Sequence, residues 1–151
     1  MKFSQELNCD ENSFFKILTG YSNLPKYLPK QLHKIEVLEE QDQSVIIQLT
    51  IFFKTLIKKS VTQKIRITTE SKNHILCEIL DGHAKGTSII IFSSIKDNNV
   101  EINIETDLKL SLKAKILSPI IKREYTPLLH GLINKITMDA NEILKVNNND
   151  S

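Results

Sequence analysis

The sequence predicts an α+β fold: a curved antiparallel sheet of about seven strands wrapped around a long C-terminal helix, with two short helices closing one end. Three observations predict it. Residues 119–146 place Tyr125, Leu129, Leu132, Ile133, Ile136, Ala140 and Ile143 on one arc at helical spacing, with Lys135, Met138, Asn141 and Glu142 off it. Val45, Ile47, Leu49, Ile51 and Phe53 alternate with their neighbours in the period of a half-buried strand. The segments between 31 and 110 are separated by short polar turns, which join antiparallel neighbours. A helix over 119–146 spans about 40 Å at roughly 1.5 Å per residue, so its stripe needs a broad apolar partner.

The elements follow in order. Residues 2–8 alternate Phe3, Gln5 and Leu7 against Lys2, Ser4 and Glu6, which reads as a short strand. Asn8 or Asp10 caps a helix over 11–18, with Glu11 placed as in a capping box, and Gly20 is suited to a left-handed stop. Ser22 or Asn23 opens a second helix of one to two turns, with Pro25 in its first turn and Pro29 turning Leu28 out of it. Strands are expected over 32–39, 45–53, 58–70, 74–80, 85–95 and 100–110. The turns between them fall at 41–44, 71–73, 81–82 and 96–99, with Thr55-Leu56-Ile57 as a connection. Long twisted strands curl, and a curled sheet around one helix leaves an open end for the short helices to plug. Pro127 removes a backbone donor inside the final helix and is expected to kink it. A single domain over 1–146 followed by a polar tail over 147–151 is the expected organisation.

Composition excludes several classes. The net charge of +2 comes from lysines and acids spread along the chain, which gives no basic stripe for nucleic acid. Cys9 and Cys77 have neither metal nor redox spacing and read as small apolar residues of a reducing compartment. The opening residues lack the apolar core of an export signal, and no apolar run approaches the ~18 residues of a membrane span. A cytoplasmic location is expected. His33, His74, His83 and His130 are scattered, so no metal site is expected; no nucleophile elbow and no phosphate loop is present.

Three stretches carry a resemblance: Phe14-Phe15-Lys16-Ile17-Leu18-Thr19 followed by Leu24-Pro25-Lys26-Tyr27-Leu28-Pro29; Gly82-His83-Ala84-Lys85-Gly86-Thr87; and Ile120-Ile121-Lys122-Arg123. With the order strand, two helices, six strands, helix, the chain resembles the START and birch-pollen-allergen (SRPBCC) superfamily across 1–144. The similarity is to its polyketide cyclase-like and coenzyme Q-binding-like branches. The resemblance implies a helix-grip fold with an elongated cavity between the sheet and the last helix. It also implies a ligand such as a lipid, sterol, quinone or polyketide, and in some members cyclisation or dehydration.

The cavity reading names Leu24, Tyr27, Leu28, Leu49, Ile51, Phe53, Ile65, Ile67, Ile102, Ile104, Thr106, Tyr125, Leu129, Leu132, Ile133 and Ile136 as ligand-contacting residues. The competing reading is that the same side chains fill a solid core, and periodicity does not separate the two. Lys122, in the apolar arc beside Tyr125, would meet an anionic head group at the mouth, or else stand in solvent before the helix reaches the sheet. Tyr27 and Tyr125 would each bring a hydroxyl to an apolar wall, or sit as packed aromatics with the hydroxyl at the rim. Lys54, Lys58 and Lys59 would touch an acidic partner or a membrane surface, or form a solvated turn. No catalytic residue and no cofactor is assigned.

The leading expectation is a carrier or sensor for a hydrophobic small molecule, with the Leu24–Pro29 segment as gate. An enzyme of cyclase or dehydratase type ranks lower, because the inward polar positions Gln63, Thr69 and Thr106 are poor general bases. A protein-interaction module, with an outer apolar patch around Ile46 and Phe52, is the third reading, and a weak dimer or protein partner stays open.

Overall fold

A computed structural model describes residues 1–52 and 60–149, with side chains through Val146. The chain runs β1 (Lys2–Glu6), α1 (Glu11–Leu18), a 3-10 helix (Tyr21–Lys26), β2 (Leu32–Glu40), β3 (Ser44–Ile51), β4 (Val61–Ser71), β5 (His74–Ile79), β6 (Ser88–Lys96), β7 (Asn99–Asp107), a one-turn 3-10 helix (Lys115–Leu117) and α2 (Ser118–Asn149). The seven strands form one antiparallel sheet in the order β1-β7-β6-β5-β4-β3-β2. This is the expected helix-grip arrangement, a six-strand meander with the first strand returned beside the last. Phe53 and the lysines at 54, 58 and 59, with the connection between them, lie outside the described residues.

Local chemistry sets the boundaries. Asp10 caps α1, its carboxylate accepting from the Ser13 amide at 3.0 Å, so of the two capping candidates Asp10 is used. Gly20 does not stop α1 in the left-handed region; its φ is −79°. The Thr19 hydroxyl donates to the Phe15 carbonyl at 2.8 Å, and the Gly20 amide donates to the Ile17 carbonyl at 3.1 Å. With its last carbonyls satisfied, α1 passes straight into the 3-10 helix. The β6–β7 hairpin turns through Asp97 and Asn98, with φ of 53° and 66°, values suited to a two-residue turn that follows the sheet's twist. Strand β6 starts at Ser88 rather than Lys85, because Gly82 (φ 76°) and Gly86 (φ 92°) hold the preceding residues in turns. Strand β2 has two register shifts against β3, between Leu32 and Lys34 and between Val37 and Glu39.

The core sits between the concave face of the sheet, α1 and α2. Phe14, Ile47, Ile102, Ile133 and Ile136 are almost completely covered. Each such side chain stabilises the fold by about 1.5–3 kcal/mol relative to exposure. Among the expected stripe residues, Ile143 is corrected: it is 53% exposed, and every residue from 141 to 146 is exposed with it, so the last turns of α2 have no apolar partner among the described residues. Val61, at the start of β4, is exposed. Pro127 lies within the continuous helix α2, on its exposed side.

Candidate functional site

Cross-strand register fixes how the concave face is tiled. One row runs Val45, Ile67, Cys77, Ile89, Thr106 across five strands. Its flanks, Val45, Ile67 and Thr106, are buried. Its centre, Cys77 and Ile89, keeps accessible surface. The neighbouring row Ile47, Ile65, Ile79 has the same character: Ile47 is covered and Ile65 and Ile79 are not. The row beyond, Thr69, Ile75, Ile91, Ile104, Phe3, is closed at Ile75, Ile104 and Phe3.

Cys77 stands at the centre of this face, between Ile67 and Ile89. Burial pushes its thiol up to about 12, so the group lies deep among protein atoms. Cys77 packs against the buried cluster on the same face as Ile67 and Ile89. The thiol stays protonated at neutral pH and is no nucleophile.

Helix α2 changes character along its length. Ile133, Ile136 and Ala140 are sealed against the core. In the preceding turns Leu117, Ile120, Ile121, Tyr125, Leu128, Leu129 and Leu132 are all only half covered. Tyr125, Leu129 and Leu132 pack against the buried cluster from this half-covered position, as do Leu49, Ile65, Cys77, Ile89 and Ile91 from the sheet. The Tyr125 hydroxyl is hydrogen-bonded to the hydroxyl of Thr106, at the end of the Cys77 row. Burial raises the Tyr125 pKa, partly offset by the Thr106 bond, so the phenol is neutral.

The 3-10 helix covers the other side. Tyr27 is buried, and its hydroxyl donates to Asp139 of α2 at 2.6 Å. Lys26 pairs with the same carboxylate at 2.8 Å, and Lys135 donates to the Tyr27 carbonyl at 3.3 Å. The bonds from Lys26 and then Tyr27 hold the Asp139 carboxyl below its ordinary range. Leu24 and Tyr21 are half covered against the core, and Leu28 is half covered. Burial, and then the nearby Cys77 and Glu40, raise the Tyr21 pKa.

The structure brings Leu49, Ile65, Ile67, Thr106, Tyr125, Leu129 and Leu132 together with Ile102, Ile104, Ile133 and Ile136, the last four among its most covered residues. Ile51 pairs with Leu32 and Val61 at the end of β3, half covered. Lys122 is exposed. Cys77, Ile89, Tyr21 and Thr87 escaped sequence reasoning. Alternation on β5 and β6 would have found the first two, but Thr87 precedes any regular strand. Thr87 is buried because its hydroxyl donates to the Lys109 carbonyl at 3.0 Å and accepts from the Lys109 amide at 2.9 Å. Gln63 is buried by bonds to the backbone carbonyl and the carboxylate of Asp81, the latter at 2.7 Å. Two depressions, near Lys96–Glu101 and near Glu39–Arg66, are lined mainly by charged and polar groups and by no residue of α2. No group of histidine, cysteine or carboxylate side chains suited to a metal occurs among the described residues.

No family model and no curated protein matches the sequence. Solved structures do match. A START superfamily protein from Mycobacterium smegmatis superposes with a TM-score of 0.73 at 11% identity, over 95% of this chain and 97% of that one. The Zhui aromatase/cyclase from Streptomyces sp. R1128 gives 0.71 at 11% identity, over 95% and 94%. The di-domain aromatase/cyclase StfQ of the steffimycin pathway gives 0.79 at 10% identity, over 96% of this chain and 52% of that one. At such identities the likeness is one of fold: the chain has the START and birch-pollen-allergen-like helix-grip architecture.

Proposed function

We propose that the chain is a carrier or sensor that holds a hydrophobic small molecule between the concave sheet and the N-terminal half of α2. The observation that carries this reading is the centre of the concave face: Cys77 and Ile89 keep accessible surface in a row whose flanks, Val45, Ile67 and Thr106, are covered. The half-covered stripe of Tyr125, Leu129 and Leu132 supports it from the helix side. The ligand would rest against Leu49, Ile65, Cys77, Ile89, Leu129 and Leu132, with Tyr21 and Leu24 over it. The Thr106–Tyr125 hydroxyl pair would orient one carbonyl or hydroxyl of the guest.

Binding is favoured over turnover by what the walls offer. The buried or half-buried inward strand positions among the described residues carry amides, hydroxyls and a thiol, with no carboxylate or imidazole. General acid–base chemistry of the kind the neighbours' names suggest needs such a group in the cavity. The domain would span 1–146, and Lys122 would face solvent outside the mouth.

Native mass spectrometry of protein purified without detergent tests the reading. A bound apolar mass, lost when Cys77 is replaced by Phe in a variant that keeps the parent's melting temperature, is expected. A chain that leaves the column empty, and takes up no fluorescent fatty acid or quinone, sinks it.

A further inference from the structure

Residues 108–123 join β7 to α2 and differ from the rest of the surface. They include Lys109, Lys113, Lys115, Lys122 and Arg123 and not one acid, in a chain whose net charge is only +2. Lys109 pairs with Asp107 and Arg123 with Glu124, each at 3.8 Å. Lys113, Lys115 and Lys122 form no ion pair among the described residues and are exposed. Between them stand Leu112 and Ile116, 86% and 81% exposed, the most exposed large apolar side chains described.

The protrusion is built rather than loose. Ala114 is buried and anchors the turn, with the amides of Ala114 and Lys115 donating to the Ser111 carbonyl at 3.0 and 3.1 Å. The Ser111 amide donates to the His83 carbonyl at 2.8 Å, and the Ser111 hydroxyl meets His83 Nδ1 at 2.8 Å. Ala114 points in, so Leu112, Lys113, Lys115 and Ile116 point out. These ties fix the tip to the 81–87 turns and to the start of α2, beside the half-covered end of the helix.

We propose that this tip docks the protein on an anionic lipid bilayer, with Leu112 and Ile116 entering the interface and Lys113, Lys115 and Lys122 on the head groups. Composition selects lipid over a protein partner. Protein interfaces deplete lysine and enrich arginine and aromatic residues, whereas the tip has four lysines, one arginine and no aromatic residue. Two separated aliphatic points suit a fluid surface that needs no matching pocket. Each lysine near an anionic leaflet contributes about 1 kcal/mol, and a tenfold change in affinity is about 1.4 kcal/mol. Delivery of a guest through this end rests on the cavity reading above, but docking is measured on protein alone, so the two fail separately.

The chain has no tryptophan, so Leu112→Trp provides a unique reporter at a site where packing is not disturbed. On vesicles of phosphatidylcholine with one-third phosphatidylserine, its emission should shift to the blue and be quenched by bromolipid. Pure phosphatidylcholine should give neither effect. Lys113→Glu combined with Lys115→Glu should weaken vesicle binding by at least about tenfold. Leu112→Asp combined with Ile116→Asp should abolish the cosedimentation of the otherwise unaltered chain, with melting temperature unchanged. The proposal is overturned by emission that stays at its aqueous position on bound vesicles, by aspartate variants that sediment like the parent, or by a shift induced by polyglutamate and not by vesicles. The last outcome would assign the tip to an acidic protein.

Discussion

The two halves of α2 are built from similar residues and do different things. Ile133, Ile136 and Ala140 close onto the sheet and are fastened from outside by the clasp of Tyr27, Lys26 and Asp139. Leu128, Leu129 and Leu132, just before them in the chain, have comparable hydrophobicity and remain half covered. The difference lies in what stands opposite. The closed half is tied to the α1 end of the chain, through Thr137 to Cys9 and Asn141 to the Asn8 carbonyl, and to Tyr27, while the half before it reaches the sheet edge through His130 on the Phe3 ring and Tyr125 on Thr106. One amphipathic stripe can therefore serve as a foundation at one end and a wall at the other, and hydrophobicity alone does not say which.

Truncation breaks the comparison most directly. Ile136→Ala should destabilise the chain by about 2–5 kcal/mol, the range for a fully covered aliphatic side chain whose site cannot collapse, whereas Leu129→Ala should cost well under half of that. Urea denaturation of both variants decides it; equal losses would mean that the two halves are packed alike. Next comes the clasp. Tyr27→Phe leaves the ring and removes the donor to Asp139, for an expected loss of about 1.5–3 kcal/mol in the same assay, typical of a hydrogen bond to a charged group.

The Asp139 carboxyl is held low in the folded chain, so its contribution is present above the unfolded carboxylate pKa and is lost as pH falls through the lower, folded value. Melting temperatures from pH 6 down to about 2 should drop more steeply for the parent than for Asp139→Asn, with the difference confined to the acid side of ~4. Filling the open half should cost least. Ile65→Phe would strain a solid core by about 1–3 kcal/mol but should be near neutral where space faces it, while reducing uptake of an apolar fluorophore. Thr106→Val similarly separates the readings. A dry core leaves the Tyr125 hydroxyl unpaired, at about 1–3 kcal/mol, whereas a wet or occupied space supplies a substitute partner and little is lost.

The strands, their order, α1 and the long helix were legible because each depends on short-range periodicity and on turn residues such as Asp97 and Gly82. The inward polar positions Gln63 and Thr106 were legible for the same reason. What escaped depends on contacts far apart in sequence. Tyr27 and Asp139 are separated by 112 positions, and nothing local marks either as the other's partner. The sequence left open whether the Tyr27 hydroxyl faces a pocket or the rim, because its neighbours Leu24 and Leu28 are apolar either way. Gly20 looked like a left-handed stop because glycine usually supplies one, but the next helix begins at once and Thr19 satisfies the carbonyls instead. Ile143 lies in phase with the stripe, but in the exposed last turns of α2. Cys77 looked inert, and its position became informative only when register set it between Ile67 and Ile89.

The shifted register of β2 has a consequence for life in a crowded solution. A sheet that opens to grip a helix leaves two unpaired borders, and long flat borders recruit other chains. β1 is five residues long and offers little length to template on. β2 is nine residues long, but it is interrupted twice and bears Lys34, Glu36, Glu39 and Glu40, so an incoming strand finds neither a continuous ladder nor a neutral one. Those irregularities let the barrel stay unclosed without becoming a seed for fibres.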